Sequence, residues 1–63
     1  MRRFFLLQIP DSETFHLPEE ESKHIVRVLR YENGDQLLLL DGKGLIVTAE
    51  VTDAHPKKCL VKV

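Results

Sequence analysis

The chain is poor in the features that staple or anchor a small protein. One cysteine, Cys59, in 63 residues leaves no internal disulfide to form. His16, His24, His55 and Cys59 lack the close paired spacing of a structural zinc site, so no metal is expected. No apolar run approaches the ~20 residues that cross a bilayer, which excludes a membrane-spanning helix. Phe4 to Leu7 after Arg2 and Arg3 is too short for a secretory leader, and Gln8, Pro10 and Asp11 end it without a small-residue cleavage site. The reading that follows is a reduced, cytoplasmic protein. Charge of one sign is lacking too: the net charge is −1, so any affinity for a polyanion has to come from a local patch. Ser12 and Ser22 have no Gly-x-Ser-x-Gly context, and Gly42 and Gly44 form a Gly-x-Gly fragment with no third glycine or following helix.

What is present organises around one amphipathic segment, His24-Ile25-Val26-Arg27-Val28-Leu29-Arg30. Pro18 suits a first helical position, Glu19, Glu20 and Glu21 suit the first turn, and the pattern predicts a helix running to about Arg30. At about 100° per residue, Lys23, Arg27 and Arg30 form a basic stripe, with Ile25, Val28 and Leu29 on the other side for the core. Glu19 and Glu20 are spaced to pair with Lys23 or His24, so the stripe also reads as an ordinary solvated face. Asn33 or Gly34 can take the left-handed conformation that ends the helix.

The flanks read as strands. Arg3 to Gln8 favours extended structure and stops at Pro10, and Thr14 to Leu17 is a short extended piece. Gln36 to Asp41 carries four consecutive leucines and fits a strand covered on both faces. Asp41-Gly42-Lys43-Gly44 is a hairpin turn with Lys43 at its tip. Leu45 to Thr52 alternates, placing Leu45, Val47, Ala49 and Val51 together, and Lys58 to Val63 places Cys59, Val61 and Val63 together. The order is β-β-α-β-β-β, mainly β with one helix. A small curled sheet or partly open barrel, with the helix plugging one end, satisfies that burial pattern. Residues 1–63 form one domain, and a core this small is worth only about 3–5 kcal/mol net. The chain stops inside a strand pattern at Val63, which reads as a truncation.

No constellation of catalytic side chains emerges, which argues against a small complete enzyme. Cys59 lies on the apolar side of its strand and reads as a buried, inert thiol. Asp41 reads as a turn-former and Glu50 as an outward-facing side chain. His24 sits at the border of the two helix faces and reads first as packing. Phe4, Phe5 and Phe15 read as core, leaving Tyr31 as the aromatic for base stacking. The remaining candidates are cations: Arg2 and Arg3 before the first strand, Lys23, Arg27 and Arg30 on the helix, and Lys43 at the hairpin. Brought together, they are suited to phosphate contacts. The rival reading is a structural or dimerising barrel whose arginines pair internally, with Asp35 or Asp41 as partners.

Met-Arg-Arg-Phe-Phe at the start, the segment from His24 to Arg30, Gly34-Asp35, Asp41-Gly42-Lys43-Gly44 and Ala49-Glu50-Val51 together resemble the ribosomal RNA small subunit methyltransferase E family. The resemblance covers the whole chain and is to the N-terminal part of that family. It implies a PUA-like β-barrel that holds small-subunit ribosomal RNA, with the RNA-contact role falling on Arg2, Arg3, Arg27 and Arg30, then on His24 and Lys43. The family's catalytic part is a C-terminal knotted SPOUT domain. That domain binds S-adenosylmethionine, methylates N3 of a uridine and forms a homodimer. None of it lies in these residues, so the resemblance assigns no catalytic or cofactor residue to this chain.

Overall fold

The computed structural model describes residues 2–63; Met1, which begins the N-terminal motif, lies outside them. Five strands and one short helix follow the expected order: β1 (Arg3–Phe5), β2 (Thr14–His16), α1 (Glu19–Lys23), β3 (Gln36–Leu40), β4 (Ile46–Asp53) and β5 (Leu60–Lys62). The strands form one mixed sheet in the order β1-β3-β4-β5-β2, with β1 parallel to β3 and every other neighbour antiparallel. This is a mainly β, partly open PUA-like barrel with one helix.

The register explains the core. Phe4 lies opposite Leu39, Leu39 opposite Val47, Leu37 opposite Ala49, Val51 opposite Val61, and Val61 opposite Phe15. Side chains alternate faces along each strand, so these pairs put one apolar residue after another on the inner face across all five strands. All of them are buried except Val47, which is half-buried. Thr52 is the extra residue of a bulge between Val51 and Asp53, and its hydroxyl donates to the carbonyl of Leu60 at 3.2 Å. Such a bulge bends a strand and increases its twist.

The helix covers this core with Ile25 and Ser22, both fully buried. Ser22 is a polar tie between elements. Its Oγ accepts the backbone N–H of Cys59 at 2.8 Å and donates to the carbonyl of Leu17 at 3.2 Å. The hydroxyl thereby joins α1 to the start of β5 and to the end of β2, and it satisfies an amide that would otherwise be buried without a partner.

The helix departs from its sequence pattern after Lys23. Residues His24–Val28 form a π turn, closed by Leu29 N–H to the His24 carbonyl at 3.0 Å. A turn that closes one residue later advances each residue by less than 100°, so the 3.6-residue phase no longer holds. Val28, expected in the core, is therefore 64% exposed, while Ile25 is fully buried and Leu29 half-buried. The regular helix does not reach Arg30. Arg30 itself takes the left-handed conformation (φ 57°), and Tyr31 N–H closes the end onto the Ile25 carbonyl at 3.0 Å. This is the role expected of Asn33 or Gly34. Gly34 also has a positive φ, of 98°, but it serves the turn into β3, where its N–H reaches the Val51 carbonyl at 2.7 Å.

Other expectations also shift. β1 stops at Phe5 instead of Gln8, leaving Phe5 68% and Leu7 96% exposed. The four-leucine strand is fully covered on one face only: Leu37 and Leu39 are buried, Leu38 and Leu40 half-buried. Leu45 and Val63 precede and follow their strands and are exposed, although each falls in phase with buried residues. Tyr31 is half-buried, with its ring edge-on to Phe4 at a centroid distance of 6.1 Å, and joins the core.

Candidate nucleic-acid interface

The carboxylates expected to hold the arginines are engaged in turns. Asp35 Oδ2 accepts the Glu32 N–H at 2.7 Å, and Asp41 Oδ1 accepts the N–H groups of Lys43 and Leu45 at 2.7 and 3.1 Å. Among the described residues the one ion pair joins Lys62 to Glu13 at 3.8 Å and involves none of the candidate cations. Among those residues Glu19 and Glu20 make no ion pair with Lys23 or His24. Arg2, Arg3, Lys23, His24, Arg27, Arg30 and Lys43 are all exposed or half-exposed at the surface. The internal ion pairs of the rival reading are thus absent among these residues.

Most of the candidate residues fall into two open clefts instead of one stripe: Arg2, Arg3 and His24 in one, Lys23 and Arg27 in the other. In the first, of about 850 Å³, β1 and the helix bring Arg2, Arg3 and Phe5 beside His24, Leu29, Glu20 and Glu21. β1 is fixed there by Leu38 N–H, which donates to the Arg2 carbonyl at 2.9 Å. His24 is therefore a cleft residue and not a packed one. The hairpin tip abuts the same strand end: a β-carbon placed on Gly42 would meet the Phe5 ring at 3.5 Å. Gly42 also has φ 78°, a conformation that favours a residue without a side chain. Lys43 follows it, exposed at the tip and outside the cleft. The second cleft, of about 240 Å³, holds Lys23 and Arg27 together with Glu19, Pro56 and Lys57. Arg30 lines neither cleft. The π turn and the left-handed cap separate it from Lys23 and Arg27, with which the sequence pattern grouped it.

The two clefts differ in electrostatics. Glu20 and Glu21 balance Arg2 and Arg3 in the first, whereas the second gathers three cations against the single carboxylate of Glu19. Lys57 is not among the sequence candidates. It sits in the β4–β5 loop, and no periodicity links that loop to the helix.

The single cysteine is not an exposed nucleophile. Cys59 is fully buried, and burial, with a smaller contribution from Asp53, pushes its thiol above the usual value of 9.0. Among the described residues no three His, Cys, Asp or Glu side chains converge in a metal-binding arrangement, and no helix is long and apolar enough to cross a membrane.

Residues 17–63 match the RNA methyltransferase PUA domain family. This chain belongs to that family. The membership fits both the barrel and the exposed cations. Solved structures agree. The chain is 40% identical over its full length to a probable rRNA methyltransferase from Porphyromonas gingivalis, covering 26% of that protein with a TM-score of 0.83. It is 30% identical over 98% of its length to a ribosomal RNA small subunit methyltransferase E from Neisseria gonorrhoeae, solved with S-adenosylmethionine, covering 26% of it with a TM-score of 0.85. The chain thus spans about a quarter of the length of the solved relatives it matches.

Proposed function

We propose that this PUA domain is the N-terminal, RNA-gripping part of a small-subunit ribosomal RNA methyltransferase. The longer protein uses S-adenosylmethionine to methylate N3 of a uridine, and its C-terminal domain supplies the catalytic residues, the cofactor site and the homodimer contact. It works in the cytoplasm. The 63-residue chain contributes binding and not catalysis. The observation that carries this reading is electrostatic. Among the described residues, the exposed cations on β1, the helix and the hairpin tip form no ion pair, although Asp35 and Asp41 lie close by in sequence and Glu19, Glu20 and Glu21 line the same clefts. Surface cations released from internal pairing are available to replace the counterions of a nucleic-acid backbone.

The proposed contacts are Arg2, Arg3, Lys23, His24, Arg27, Arg30 and Lys43. They position the RNA through its phosphates and carry no sequence information themselves. The test is binding of this chain to a hairpin of small-subunit ribosomal RNA over a salt series. Replacing Arg27 and Arg30 together by alanine lowers affinity and flattens the slope of log K against log salt by roughly 0.7–0.9 for each phosphate no longer neutralised. An unchanged slope removes both residues from the interface.

A further inference from the structure

We infer that Lys57 completes a phosphate-binding cleft with Lys23 and Arg27, so that the β4–β5 loop is part of the RNA-binding surface. The inference rests on the RNA-binding reading above and extends it to an element the sequence pattern does not single out.

Lys23 and Arg27 line this cleft together, whereas His24, the residue after Lys23, lines the first one. Across from Lys23 and Arg27 the loop brings Pro56 and Lys57, closing an open cleft with cations on both walls. Like charges gathered this way repel, and Glu19 alone opposes them. Folding gains nothing from that arrangement. A bridging phosphate, with two or three acceptor oxygens for lysine and arginine donors, removes the repulsion.

The loop is held ready for this task. Asn33 Oδ1 accepts the Ala54 N–H at 2.9 Å, tying the start of the loop to the turn before β3. His55 Nδ1 accepts the N–H groups of both Lys57 and Lys58, at 3.1 and 3.3 Å. Pro56 between them has a restricted backbone. Lys57 is therefore presented from a turn pinned at three residues, which lowers the ordering cost of binding. Its neighbour Lys58 is also exposed but does not line the cleft. That difference supplies a control of equal charge in the same loop.

The experiment measures binding of the small-subunit ribosomal RNA hairpin to the wild-type chain and to Lys57→Ala, Lys58→Ala, Lys57→Arg and Arg27→Ala over a salt series. Circular dichroism melts confirm that each variant is folded. Lys57→Ala is expected to weaken binding severalfold and to reduce the salt slope by roughly 0.7–0.9, as Arg27→Ala does, while Lys57→Arg retains both. Lys58→Ala is expected to leave the slope within error of wild type. If Lys57→Ala behaves like Lys58→Ala while Arg27→Ala still flattens the slope, the inference fails and the RNA-binding reading stands. If the wild-type chain shows no salt-dependent RNA binding, both fall.

Discussion

Replacing Ser22 by alanine should destabilise this domain more than its small size change suggests. The substitution removes one oxygen, yet that oxygen serves two backbone groups in a fully buried place: the Cys59 amide at 2.8 Å and the Leu17 carbonyl at 3.2 Å. Leaving the Cys59 N–H unpaired in the core costs about 1–3 kcal/mol, and the backbone cannot move to find water without parting α1 from β5. A 63-residue domain has a total stability of only about 3–9 kcal/mol, so a loss near 2 kcal/mol is a large share of it. At roughly 4–8 °C per kcal/mol for a domain of this size, the midpoint should fall by about 8–16 °C. Thermal and urea unfolding followed by circular dichroism read the loss, with an unchanged urea slope showing that stability alone has moved. Hydrogen exchange reads the mechanism, because the Cys59 amide should lose protection. Ser12→Ala, at an exposed position, should stay within about 0.5 kcal/mol of wild type. A Ser22→Ala midpoint within about 3 °C of wild type, with the Cys59 amide still protected, would refute the view that this hydroxyl ties helix to sheet.

Two further outcomes follow from single residues. Arg30 holds a left-handed backbone that costs a side-chain-bearing residue about 1–2 kcal/mol. Arg30→Gly relieves it against an added unfolded-state entropy of about 0.5–1 kcal/mol. Urea unfolding should therefore show stability unchanged or up to about 1.5 kcal/mol higher, while RNA affinity falls; a drop in stability would mean that the side chain supports the fold. Cys59 favours the protonated form when folded, because burial raises its thiol above 9.0. A raised thiol value means that the folded state holds its proton where the unfolded chain has begun to release it. The contribution is fully present below the unfolded value and declines as pH rises through the folded one. Stability should decline above about pH 9 more steeply in wild type than in Cys59→Ala, and the native thiol should resist an aromatic disulfide reagent until the chain unfolds.

The strands were legible wherever a two-residue period ran undisturbed. Val47, Ala49 and Val51 face the core as their alternation implies, and the Asp-Gly-Lys-Gly turn folds as its glycines require. Legibility ended where the period itself changed. The segment from His24 to Arg30 fits a 3.6-residue repeat, and nothing in its sequence announces a closure one residue wider. Val28 and Arg30 therefore take places that the pattern assigned elsewhere. Phe5 and Leu7 are apolar enough for a longer strand, but pairing with β3 ends at Leu40, opposite Phe5, and the hairpin turns away there. The two buried groups that join distant parts, Ser22 and Cys59, are 37 residues apart, and neither spacing nor composition relates them. Lys57 is the same problem at the surface. Its neighbours in space, Lys23 and Arg27, belong to another element, so only the folded chain shows the three together.

The proposed RNA binding rests on the exposed cations of this fold, and a map of amide and guanidinium NMR signals during titration with the small-subunit ribosomal RNA hairpin tests that directly. Signals of Arg3, Lys23, Arg27 and Lys57 should shift together and return as salt is raised. Shifts confined to the exposed apolar residues Leu45, Ile46 and Val63, with the basic residues unmoved, would contradict it.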